Sequence, residues 1–105
     1  MDAQLKRGVL EACVLASLLK EDSYGYKIIK DLSEHIEISE STLYPILKRL
    51  ENSKYVKVDS LEHNGRLRKY YGITDGGKKR LDEFMEEWKM IMQVYAYIEG
   101  EMGYE

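Results

Sequence analysis

Asn64-Gly65 stands between two segments in which apolar and polar residues alternate, and no other feature limits the fold as strongly. Both central positions of a type I′ turn need positive φ, which asparagine and glycine adopt most readily. A two-residue turn here predicts an antiparallel hairpin and its register, with His63 opposite Arg66 and Val56 opposite Ile73. One face of the hairpin then collects the apolar side chains Val56, Val58, Tyr71 and Ile73.

Helical periodicity occupies the chain on both sides of the hairpin. A first helix is predicted from about residue 4 to residue 20, a second is capped by Asp22 and Ser23 with apolar positions through Ile36, and a third begins near Ser39. A fourth continues to about Glu99, a length of roughly 25 residues. The sequence therefore predicts a mainly α, α+β fold of order α-α-α-β-β-α, the winged helix-turn-helix.

Charge is distributed unevenly along the chain. The formal net charge of the whole chain is -3, which is unusual for a protein that binds nucleic acid. Residues 41–71, however, contain seven basic and three acidic side chains, whereas acidic residues exceed basic ones on either side of this segment. A basic segment between acidic ones is expected where one face meets phosphate groups and the remaining surface does not.

The third helix and the hairpin carry side chains suited to such a contact. Hydroxyls near a helix N-terminus can reach bases or phosphates, and the helix dipole favours an anion there. Basic side chains on a hairpin bind phosphates with little sequence preference. Solvated surface explains either set alone, whereas the combination indicates DNA binding. The candidates are Ser41, Thr42, Tyr44, Lys48 and Arg49 on the helix and His63, Arg66, Arg68 and Lys69 on the hairpin.

The first and last helices present more apolar surface than one small domain covers. From Val9 to Leu19 the first helix is apolar on nearly every side, and the last has two apolar stripes that share Trp88 and Tyr95. A second copy of the chain would cover both. We therefore expect a homodimer in which residues 1–73 form a winged-helix DNA-binding domain. Residues 74–105 would form a C-terminal dimerisation helix continuous with that domain.

Four short motifs follow one another along the chain: Ser23-Tyr24-Gly25-Tyr26, Ser41-Thr42-Leu43-Tyr44-Pro45, Leu47-Lys48-Arg49-Leu50-Glu51 and Arg68-Lys69-Tyr70-Tyr71-Gly72-Ile73-Thr74. With these motifs in this order, the chain resembles the PadR family of winged-helix transcriptional regulators over essentially its whole length. It departs from the family pattern at Ser41 and at Ser53-Lys54, where glycine is usual, and these changes bear on operator preference.

The resemblance implies a dimeric repressor that binds an inverted-repeat DNA operator. Some short members of the family bind planar aromatic or cationic drugs between paired tryptophans, and Trp88 occupies the matching place. Stacking and cation-π attraction would suit such a ligand. Trp88 could instead be an interface anchor, and Glu11 could simply pair with Arg7. The candidate ligand residues are Trp88, Phe84, Met92, Glu11 and Ala12.

Other classes of protein fit the sequence poorly. It has no glycine-rich phosphate loop, no Cys/His metal spacing and no nucleophile with an evident base, so we expect neither an enzyme nor a metal or other cofactor. The single cysteine, Cys13, lies in an apolar segment, which indicates a core residue in a reducing cytoplasm. No segment predicts a membrane span. The remaining alternative is a winged-helix module that binds proteins without sequence-specific DNA binding.

Overall fold

A computed structural model describes residues 1–103, so the last two residues of the predicted segment 74–105 lie outside the described residues. The predicted mainly α winged-helix fold and its order of elements are confirmed. The elements are α1 (Ala3–Ser17), α2 (Gly25–Leu32), α3 (Glu40–Asn52), β1 (Val56–His63), β2 (Arg66–Ile73) and α4 (Asp75–Glu101).

The hairpin has the predicted register. His63 lies opposite Arg66 and Val56 opposite Ile73, and the turn residues Asn64 and Gly65 have φ angles of 52° and 78°. Positive φ at both positions is what a type I′ turn requires. The inner face of the hairpin therefore packs on the helices and leaves the strongly charged tip in solvent.

The core lies where α1, α2 and α3 meet the base of the hairpin. Its centre is formed by branched aliphatic side chains, among which Val14, Ile28 and Leu43 are completely inaccessible to solvent. Burying side chains of this kind contributes about 1.5–3 kcal/mol each before the entropy of ordering is counted. The other core members are Leu10, Leu15, Leu18, Leu32, Ile38, Ile46, Leu47, Leu50, Val56 and Tyr71.

The end of α1 and the start of α2 differ from the predicted boundaries. α1 ends at Ser17 rather than near residue 20, because the chain closes with a tighter turn in which Leu18 N donates to Leu15 O at 3.1 Å. Ser23 does not cap α2; the N-cap is Tyr24, since Ser23 pairs with Tyr71 of β2 in an isolated antiparallel bridge. The bridge joins the start of α2 to the sheet.

α2 also ends earlier than its apolar pattern suggests. The helix ends at Leu32. In the following turn, the backbone N–H groups of His35 and Ile36 both donate to the carbonyl oxygen of Leu32, at 2.9 Å each. Ile36 remains half-buried against the core although it is not helical. Apolar spacing thus identified a core residue without identifying its backbone conformation.

α4 begins at a well-formed cap and then leaves the core. Thr74 Oγ1 accepts from Gly77 N at 3.1 Å and donates to Lys54 O at 2.7 Å, which fixes the first turn against the end of α3. Among the described residues of α4 only Gly77 is buried, and the chain measures 60 × 26 × 22 Å.

Within residues 1–103 no helix has both the length and the apolar character needed to span a bilayer.

Candidate nucleic-acid interface

The exposed face of α3 carries hydroxyl groups at its start and a tyrosine and a lysine further along. Ser39 Oγ lies 3.0 Å from Ser41 Oγ and 3.2 Å from Thr42 Oγ1, so three hydroxyls surround the helix N-terminus. Tyr44 and Lys48 follow at successive turns and are exposed. Four of the five candidates on this helix therefore face solvent, as a surface that reads DNA requires.

Arg49 is placed differently. Its Nε donates to Glu11 Oε2 of α1 at 2.9 Å, and its Nη2 atom is buried. The prediction that Glu11 pairs with Arg7 is wrong, because the ion pair forms between helices and not along α1. Arg49 therefore packs toward α1 instead of lying on the open face with Lys48.

A groove of about 350 Å³ separates α3 from the first half of α1. Ser41 and Thr42 line it from α3, and the basic residues Lys6 and Arg7 line it from α1. Neither residue was predicted to contact DNA, because basic side chains in the first turns of α1 carry no pattern that distinguishes a contact surface from solvated surface.

The hairpin presents its basic residues in two environments. His63, Arg66 and Lys69 are exposed, with His63 and Arg66 opposite each other beside the turn. Arg68 is half-buried, and the centre of its guanidinium lies 4.0 Å from the ring centroid of Tyr24. The hairpin, which is the wing of this fold, therefore offers a histidine and two exposed basic side chains to solvent and holds one arginine against an aromatic ring.

A second groove, of about 560 Å³, lies between the start of α2, the exposed face of α3 and β2. Tyr44, Arg68 and Lys69, three predicted DNA contacts from two elements, border this one groove. Tyr24 and Tyr26 also line it, although they were not among the predicted DNA contacts. The Ser23-Tyr24-Gly25-Tyr26 motif was the one available signal of their involvement.

Gly25 allows α2 and α3 to approach at this groove. A Cβ at Gly25 would overlap the phenol of Tyr44, with the ring carbon Cζ only 3.0 Å away. A larger residue would push Tyr44 out of position. The conformation of one predicted DNA contact thus depends on a glycine in another helix.

The predicted ligand residues lie mostly between α1 and α4. The rings of Phe84 and Trp88 stack with centroids 5.8 Å apart and an interplanar angle of 14°. Two adjoining grooves run beside them: Glu11, Ala12 and Phe84 line one, and Phe84 and Trp88 line the other. Met92 is exposed and is outside both linings.

Two titratable groups in the core have altered pKa values. Burial raises the pKa of Tyr71, and the nearby Tyr44 and Glu51 raise it further. Burial likewise raises the pKa of the Cys13 thiol, which favours its protonated form. Within residues 1–103 no group of three or more His, Cys, Asp or Glu side chains is arranged to hold a metal ion.

Comparison with known proteins identifies the family of this fold. Residues 14–83 match the model of the transcriptional regulator PadR-like family. An uncharacterized protein of Lysinibacillus sphaericus is 34% identical over 100 residues, which cover 90% of this chain and 92% of that protein.

Solved structures of known proteins support the same family assignment. A PadR-like transcription factor from Bacteroides fragilis superposes with a TM-score of 0.81 at 36% identity, covering 91% of this chain and 95% of its own. The Bacillus subtilis PadR in complex with operator DNA superposes with a TM-score of 0.67 at 26% identity, covering 73% of this chain and 46% of its own. The chain belongs to the PadR-like family, whose members are transcriptional regulators and not enzymes.

Proposed function

We propose that this chain is a cytoplasmic, homodimeric repressor that binds an inverted-repeat DNA operator. The observation that carries the proposal is the groove that Tyr44 of α3 borders together with Arg68 and Lys69 of β2. A recognition helix and a basic wing that border the same groove can contact adjacent parts of one duplex. The PadR structure with operator DNA supports this use of the fold.

The two elements would have different tasks. Ser41, Thr42 and Tyr44 lie on the face of α3 that would enter the major groove, where hydroxyl groups can contact base edges. Arg66 and Lys69 are exposed cations suited to phosphates, which raise the affinity for any sequence. Operator preference would therefore depend mainly on α3, and general affinity mainly on the wing.

The proposed homodimer rests on the second half of α4. Met90, Ile91, Val94, Tyr95 and Ile98 form a continuous apolar surface whose members are each about half exposed or more. An apolar surface of this kind on a helix that extends beyond its own core favours pairing with another helix. A two-fold dimer would present two copies of α3 to the two halves of an inverted repeat.

A fluorescence-anisotropy titration tests the DNA-binding proposal. The labelled duplex is the region upstream of the chain's own operon, and the control is a shuffled duplex of equal length and composition. We expect tighter binding to the upstream region, with an affinity that falls steeply as salt increases. Absence of salt-sensitive binding to either duplex would favour the protein-interaction alternative.

Two variants separate the tasks of wing and helix. Replacing Arg66 and Arg68 by Gln should weaken binding to both duplexes and reduce the slope of log K against log salt by about 1 to 2. Tyr44→Ala should reduce mainly the preference for the upstream region. Equal losses on both duplexes for both variants would contradict the proposed division of tasks.

We also propose that a planar aromatic or cationic effector binds beside Trp88 and releases the DNA. The stacked rings of Phe84 and Trp88 border grooves lined by α1, so a ligand there would contact both helices of the proposed dimer interface. Glu11 and Ala12 line the neighbouring groove, whereas Met92 would contact the ligand only from the second copy of the chain in the dimer.

A planar cationic dye should quench the fluorescence of Trp88, the one tryptophan in the chain. Unchanged emission across a panel of dyes would contradict this site.

A further inference from the structure

An arginine of the wing rests on a tyrosine of the helix-turn-helix. The guanidinium of Arg68 lies 4.0 Å from the ring centroid of Tyr24 and 6.0 Å from that of Tyr70. Arg68 Nη1 also lies 3.4 Å from the Tyr70 hydroxyl, to which it donates. The two tyrosine rings meet edge to face, with centroids 5.6 Å apart and an interplanar angle of 69°. These three side chains form the Tyr24–Arg68–Tyr70 cluster.

The backbone holds Tyr24 in place from both sides. Ser23 N donates to Tyr71 O at 2.9 Å, and Tyr71 N donates to Ser23 O at 2.7 Å. On the other side, Ile28 N donates to Tyr24 O at 2.9 Å in the first turn of α2. The backbone that carries the ring is thus fixed where the start of α2 is hydrogen-bonded to the sheet.

The guanidinium carbon of Arg68 lies over the Tyr24 ring, and only Nη1 donates to a protein acceptor, the Tyr70 hydroxyl, among the described residues. Phosphate oxygens are bound through the N–H groups in the guanidinium plane, so the other N–H groups remain available to a phosphate. Within residues 1–103 no carboxylate forms an ion pair with Arg68, whereas Arg49 and Arg80 each have one. Arg68 borders the same groove as Tyr44, which places its side chain beside the proposed DNA surface.

We propose that Tyr24 is a positioning residue, which orients the guanidinium of Arg68 toward a backbone phosphate of duplex DNA beside α3. The inference rests on the proposed DNA-binding function. A flexible arginine loses side-chain entropy when it binds, and one already held against a ring loses less. Tyr24 therefore strengthens DNA binding through Arg68 without touching the DNA itself.

A double-mutant cycle in the full-length chain tests this coupling by anisotropy on the upstream duplex. Tyr24→Leu should weaken binding by roughly threefold to tenfold, the range expected when a cation-π contact is lost. Tyr24→Phe keeps the ring and should bind like the wild type. When Arg68→Gln is already present, adding Tyr24→Leu should change the affinity less than twofold, because the group that Tyr24 positions is gone.

Arg66 supplies the matched control. It lies on the same strand two residues away and is exposed, so Tyr24→Leu should still cost roughly threefold to tenfold when Arg66→Gln is present. An equal loss in the Arg68→Gln and Arg66→Gln backgrounds would show that Tyr24 acts independently of Arg68. That result would overturn the inference while leaving the proposed function intact.

A measurement without DNA completes the test. In the free protein, the ring current of Tyr24 should shift the NMR resonance of the Arg68 side-chain Nε–H. Tyr24→Leu should remove this shift and Tyr24→Phe should retain it, with thermal unfolding showing that each variant is folded. An Arg68 resonance that is the same in all three proteins would overturn the inference alone. Failure of the wild type to bind DNA would overturn the proposed function together with it.

Discussion

Arg49 of α3 donates its Nε–H to Glu11 Oε2 of α1 at 2.9 Å, across 38 positions of sequence. The pair joins the helix that faces the proposed DNA surface to a helix of the proposed dimer interface. The side chains are only partly exposed, at 41% for Arg49 and 28% for Glu11, so solvent screens the pair less than an ordinary surface ion pair. The pair also holds the Arg49 side chain against α1, away from the face that carries Lys48.

Glu11→Gln should lower the free energy of unfolding by about 1 kcal/mol, because the guanidinium loses its charged acceptor while one of its nitrogens stays buried. Urea denaturation measures the change. Glu86→Gln is the matched control, since Glu86 also pairs with a basic residue, Lys89, but both side chains are largely exposed. Similar effects of the two substitutions would show that the interhelical pair contributes no more than a surface pair.

Gly77→Ala should lower the free energy of unfolding by about 2 kcal/mol, since overpacking a tight contact forces the backbone to shift. A Cβ at Gly77 would overlap the carbonyl oxygen of Tyr55 and lie 2.7 Å from Ile73 Cγ1. At the adjacent Gly76 the nearest atom would be 3.6 Å away, so Gly76→Ala should be neutral or stabilising by up to about 1 kcal/mol. Denaturation of the two variants side by side checks the contrast, and equal stabilities would contradict the close approach of the first turn of α4 to Tyr55 and Ile73.

Alkaline pH should destabilise the fold through Tyr71. Its pKa is raised by burial above the ordinary tyrosine value of about 10, so the folded chain retains this proton more tightly than the unfolded chain. Its contribution to stability is fully present below about pH 10 and is lost as pH rises through the higher pKa of the folded state. Tyr71→Phe should make the free energy of unfolding less dependent on pH in this range. Tyr97→Phe, which changes an exposed tyrosine, should leave the pH dependence unchanged. Identical profiles for the two variants would contradict the assignment.

Val94→Glu should dissociate the proposed homodimer, because the new carboxylate would be buried without a partner between two copies of α4. A penalty of about 3 kcal/mol corresponds to a dissociation constant roughly a hundredfold higher. Gln93→Glu adds the same charge at the adjacent position, which does not line the apolar groove, and should leave the dimer intact. Sedimentation velocity over a range of concentrations distinguishes the two variants. A wild type that is monomeric throughout would refute the proposed assembly.

Local features of the sequence were sufficient for the order of the elements and for the hairpin register. Asn64 and Gly65 specify their turn through their own backbone preferences, and a two-residue turn then determines which strand residues face each other. Helix boundaries were less predictable, because Ser23 is a good N-cap by residue type but is used for pairing with Tyr71. A contact with a distant segment overrode the local preference.

The candidate site likewise combines features that local sequence predicts with contacts that depend on distant segments. Hydroxyl and basic side chains on α3 and the hairpin could be chosen from residue type and position along their elements. The partners of Arg49 and Arg68 could not, since Glu11 and Tyr24 come from helices far away in sequence and nothing in the local pattern specifies which residues will meet. The sequence by itself determined which elements form and which faces are polar. Only the tertiary structure decided that one arginine is bound to a carboxylate and another is stacked on a ring, because those choices depend on how the helices pack.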